Sequence, residues 1–92
     1  MQQEAAETEA LKALGWLAAQ DTLLPVFLGS TGATEADLRS RVADPAFLAS
    51  VLDFLMLDDA WVIDWAAATG NRPEDLARFR AALPGGDLPN WT

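Results

Sequence analysis

The sequence predicts an all-α protein: a compact bundle of five to six short helices. Three observations carry that expectation. Apolar residues recur at three- and four-residue spacing in nearly every segment, the pattern of one helix face. Helix start and stop residues (Thr, Asp, Pro, Gly) punctuate the chain at intervals of about one short helix. The composition, 51% hydrophobic with 22% charged, is that of a folded domain. Ninety-two residues suffice for one domain, and a chain of this size buries roughly 60–65% of its unfolded surface. Residues 1–84 are read as a single helical domain and 85–92 as a C-terminal tail.

The first helix is expected over residues 4 to 19. Leu11, Leu14, Leu17 and Ala18 form its apolar stripe, and Glu4, Glu7 and Glu9 suit the positive end of the helix dipole. Trp16 falls away from that stripe. In DTLLPVFLGSTG, Pro25 has no amide hydrogen and is tolerated without loss only in a first turn. A cap at Thr22 or Asp21 gives a short helix over 23 to 30, ended by Gly32, with Leu23, Leu24 and Phe27 inward. Alternatively, the first helix runs on and kinks at Pro25.

TEADLRSRVA opens with a capping box from Thr34 to Asp37. In ADPAFLASVLDFLML, Asp44 is the N-cap and Pro45 the first helical residue. Leu48, Val51, Leu52 and Leu55 face one way and Phe47, Phe54 and Leu57 elsewhere, leaving a strip of Ala49, Ser50 and Asp53. A helix apolar nearly all round is buried nearly all round, so 45–57 is the expected central helix. Asp58 and Asp59 then cap and charge the start of a helix that turns Trp61, Val62 and Trp65 inward and stops at Gly70. Pro73 starts the last helix, PEDLARFRAAL, with Leu76, Phe79, Arg80 and Leu83 on one side, and Pro84-Gly85-Gly86 ends it.

A shift of 38 positions sets Leu14 on Leu52, Leu17 on Leu55, Phe27 on Trp65, Thr31-Gly32 on Thr69-Gly70 and Asp37-Leu38 on Asp75-Leu76. Two three-helix repeats around the central helix are one reading of this register. Chance agreement between two leucine- and alanine-rich halves is the other, and two copies leave both open.

Chemistry is constrained by what the sequence lacks. Without histidine, cysteine or tyrosine, it has no soft metal site, no Ser-His-Asp or Cys-His nucleophile and no histidine acid/base. No phosphate-binding glycine motif or calcium loop occurs. Asp53, Asp58, Asp59 and Asp64 crowd the stretch DFLMLDDAWVIDW. A magnesium site or a general acid/base pair is the functional reading; capping and solvation is the simpler one and is preferred. No catalytic residue, cofactor or metal is therefore expected.

A formal charge of −8 opposes nucleic-acid binding unless a basic patch forms. The arginines cluster at 39–41 and 72–80, but each cluster is interleaved with acids. No apolar run approaches the length of a membrane span. The N-terminus MQQEAAETEA lacks the features of a signal peptide. Absence of cysteine fits the cytoplasm, and the alanine and arginine usage is associated with GC-rich bacterial genomes. Trp16 and Trp91 belong to no inner face and are the candidate interaction surface, for a protein partner or for self-association as a homodimer. The functional expectation is an interaction or regulatory module without catalysis. The alternative is a nucleic-acid-linked regulator that uses the Arg72–Arg80 helix or an acidic face mimicking DNA.

The segments ALKALGWLAAQDTLLPVFLGSTG, DLRSRVADPAFLASVLDFLMLDDA and PEDLARFRAALPG resemble a family of short alphaproteobacterial proteins catalogued as domain of unknown function 3572. PAFLASVLDFL is the most specific part of the resemblance, which runs from about residue 9 to Gly85. Asp59 stands where that family often has glutamate, and Trp65 where it often has phenylalanine. The resemblance implies a compact helical cytoplasmic protein and supplies no activity, cofactor or site residue.

Overall fold

A computed structural model describes residues 1–84; the tail 85–92, and with it Trp91, lies outside the described residues. Six helices follow one another: α1 (Gln3–Ala18), α2 (Leu24–Thr31), α3 (Glu35–Ser40), α4 (Pro45–Leu55), α5 (Asp59–Thr69) and α6 (Pro73–Ala81). No strand occurs among the described residues, as the all-α reading expects. α4 packs against α1, α2, α5 and α6, so it is the central helix. Phe47, Leu48, Ala49, Val51, Leu52, Phe54 and Leu55 are all buried on it. The supposed small-residue strip is thus narrower than expected, because Ala49 is core.

Local chemistry accounts for most of the helix ends. Thr34 Oγ1 accepts from the Asp37 N–H at 3.2 Å while the Thr34 N–H donates to Asp37 Oδ2 at 2.9 Å, a reciprocal capping box. Asp44 accepts from the Ala46 N–H at 3.0 Å and Asp58 from the Ala60 N–H at 2.8 Å, so both are N-caps as the sequence indicated. Gly32 and Gly70 close α2 and α5 in the left-handed region, each at φ 76°, where a side chain is strained.

Four expectations need correction. First, α1 buries Ala6, Ala10, Ala13, Leu14 and Leu17, whereas Leu11 and Ala18 are exposed. Its inner face is set by alanines at three- and four-residue spacing, which let α1 approach α4 closely. Second, neither Thr22 nor Asp21 caps α2. Its N-cap is Leu23 without a side-chain bond, because the Leu23 and Leu24 N–H groups both donate to the Gln20 carbonyl in a tight turn. That turn also separates α1 from α2, so there is no continuous helix kinked at Pro25. Third, the central helix ends at Leu55, and Leu57 is 73% exposed. The chain must become extended by Asp58 (φ −140°, ψ 120°) to cap α5, which leaves no further helical turn. Fourth, α6 ends at Ala81, although Leu83 beyond it is still buried.

The two halves agree at several points of the 38-residue shift, although Asp44 and Asp58 cap α4 and α5 while α1 and α2 have no side-chain cap. Thr31 and Thr69 each donate from the hydroxyl to the carbonyl four residues back, at 2.8 and 2.7 Å. Gly32 and Gly70 share one conformation. Asp37 and Asp75 each accept the backbone N–H three residues earlier, both at 2.9 Å. Phe27 and Trp65 fill corresponding core positions, 0% and 1% exposed.

Candidate interaction surface

Of the four carboxylates that crowd the sequence, two are engaged by neighbouring groups. Asp58 is occupied as a cap, and Asp59 sits in the first turn of α5. Asp53 accepts from Arg80 Nε at 2.7 Å. Asp64 is exposed on α5. No group of three or more acidic side chains among the described residues is placed to hold a metal ion. Serines 30 and 40 are exposed, and the Ser50 hydroxyl donates back to the Phe47 carbonyl at 2.6 Å. Lys12 pairs with Glu9 at 3.5 Å on the outside of α1.

The arginines are similarly engaged. Arg72 and Arg78 converge on Asp75 at 3.5 and 3.2 Å, and Arg80 bridges to Asp53 and to the Pro84 carbonyl. Asp75 is the one charged residue buried among those described, 7% exposed. The Arg72 N–H bonded to its carboxylate holds its pKa below the ordinary aspartate value against the opposing cost of desolvation, helped by Arg78. Arg72 has no acceptor atom to complete a true capping box, so only the return half is made. Arg41 pairs with Asp44 at 3.1 Å and lies over the Phe47 ring at 4.9 Å. The Arg41 hydrogen bond and the Ala46 N–H lower the Asp44 pKa.

Three of the four tryptophans fall on described residues. Trp65 is buried, edge-on to Phe79 at 6.1 Å. Trp61 is partly buried and stacks on Phe54 at 4.7 Å. Trp16, half of the candidate interaction pair, is half-buried against the core and keeps part of its surface open. Its proposed companion Trp91 lies outside the described residues.

Sequence reasoning missed larger openings. Leu11, Val26, Leu57 and Ile63 are 45%, 46%, 73% and 57% exposed. Beside Leu11 lies a groove of about 390 Å³ between α1 and the α3–α4 link. Glu4, Glu7, Thr8 and Leu11, spaced as one face of a helix, make its wall. Leu48 of α4 and Val42 and Ala43 of the link make its floor. The alanines at 6, 10 and 13 were the available signal: a stripe drawn through them puts Leu11 to one side.

Over the described residues the chain is an all-α bundle of six helices, with an alanine-faced first helix packed on a central apolar one and with exposed apolar side chains. The chain belongs to the family described as protein of unknown function (DUF3572), whose model matches residues 3–86. No curated protein and no solved structure matches it.

Proposed function

We propose that this domain acts as a protein–protein interaction module and has no catalytic activity of its own. The observation that carries the reading is the set of large apolar side chains left open, Leu57 and Ile63 above all, on a chain of net charge −8. Exposed apolar side chains mark contact surfaces when they gather with other apolar groups; Leu57 lines one opening with Phe54, and Leu11 another with Val42 and Leu48. Of the clustered acids that would have to supply chemistry, Asp58 is engaged as a cap and Asp53 by Arg80. The nucleic-acid reading is weakened because Arg72, Arg78 and Arg80 each face a carboxylate. No helix among the described residues is long and apolar enough to cross a membrane, and the cysteine-free sequence fits a reducing cytoplasm.

The test is sedimentation of the full chain, once purified and once in extract of its native host. A homodimer, or a larger species present only in extract, supports the module. A monomer in both settings overturns it. A mobility-shift assay over a range of salt checks the alternative, since phosphate contacts make affinity fall steeply with salt.

A further inference from the structure

The groove beside Leu11 deepens that reading, on which it rests. We propose that it is a docking site for a basic amphipathic helix of a partner protein, one that inserts an apolar side chain and sets lysines or arginines against the α1 wall. The groove couples an apolar interior to an acidic edge. Leu11 stands 45% exposed over the buried Leu48, with Val42 beside them. On the same stripe of α1, Glu4 and Glu7 have no basic partner among the described residues; Glu7 takes only a 2.8 Å bond from the Gln3 amide. Other carboxylates, Asp21 and Asp64 among them, also lack a cation. Glu4 and Glu7, however, lack one on the wall of a groove lined by Leu11, Val42 and Leu48, where a basic partner would supply it.

Charge complementarity selects the occupant. A second copy meeting this face about a two-fold axis brings glutamates toward glutamates, which is repulsive. Nucleic acid and anionic lipid are repelled for the same reason. A helix with an apolar stripe flanked by cations satisfies both the floor and the wall, in the helix-in-groove manner.

The experiment titrates the full chain into two labelled peptides of about four helical turns. Both carry leucines on one face, and the remaining positions are lysine in one and glutamate in the other. The lysine peptide binds and the glutamate peptide does not. Leu11→Ser, an exposed substitution, weakens binding about tenfold. Glu4→Gln/Glu7→Gln weakens it and flattens its salt dependence, while Asp21→Asn/Asp64→Asn, which removes the same charge elsewhere, leaves it unchanged. Circular dichroism of each variant confirms that the fold is retained. Absence of binding, full binding by Leu11→Ser, or equal loss in the two double variants overturns the groove. A dimer or host complex that survives Leu11→Ser and Glu4→Gln/Glu7→Gln removes this site alone; a chain monomeric in extract removes the parent reading as well.

Discussion

Arg80 of α6 donates from Nε to Oδ1 of Asp53 on α4 at 2.7 Å, joining positions 27 residues apart in the sequence. The arginine side chain is 18% exposed and the aspartate 53%, so the pair lies between a surface ion pair and a buried one. A double-mutant cycle with Asp53→Ala and Arg80→Ala is expected to give a coupling of about 0.2–1 kcal/mol, shrinking in high salt. Arg80→Ala alone costs more than Asp53→Ala because it also loses the bond to the Pro84 carbonyl. Denaturant titration at low and high salt measures both effects.

Leu52, 0% exposed, sits on the helix that touches four others. Leu52→Ala is expected to cost about 2–5 kcal/mol, the range for a large-to-small change in a core. A loss well under 1 kcal/mol in urea unfolding contradicts the central placement of α4.

Asp58 is a cap whose carboxylate accepts one backbone N–H. Asp58→Ala should lose about 0.5–2 kcal/mol, and Asp58→Asn or Asp58→Ser much less, since either side chain still presents an acceptor. Melting of the three variants with and without magnesium separates this from a metal role. A cap predicts the ranking just given and indifference to the ion.

Asp44 and Asp75 supply the acid response. Both have folded-state pKa values lowered from the ordinary aspartate value, so the unfolded chain takes up these protons first as pH falls. Their contribution is complete above the unfolded value, near pH 4, and is lost as pH drops through the lower folded value. Stability is therefore expected to be flat near neutrality from these two groups and to decline in strong acid. Asp75→Asn should lower stability at pH 7 and make the acid decline shallower, which urea titration at stepped pH reads directly.

Much of this fold is written in short-range chemistry. Thr34 and Asp37, Asp44 before Pro45, Asp58 before the tryptophan helix, and the glycines at 32 and 70 lie within a few residues of the groups they satisfy. What was illegible depends on other elements. Leu11 has the spacing of a core residue, and only the position of α4 decides that Ala6, Ala10 and Ala13 are buried in its place. Leu57 continues an apolar run, yet the need to reach Asp58 in extended form puts it outside. The groove was hidden for the same reason, because its wall and floor come from α1 and from the link some thirty residues on. Trp16, named from the sequence as a surface candidate, is half-buried against the core.

The matched turns at Gly32 and Gly70 have a consequence for how the chain can be divided. Both halves share the Thr-Gly turn and the Asp37/Asp75 backbone bond, yet α1 packs chiefly on α4, across the midline, and α6 packs on both. Neither half encloses its own apolar surface. Cut in the α3–α4 link, the two fragments should each be poorly structured when alone and should regain helicity on mixing, with a midpoint that depends on concentration. A chain of this design holds its autonomy at the level of the pair, and its halves are complementary reagents.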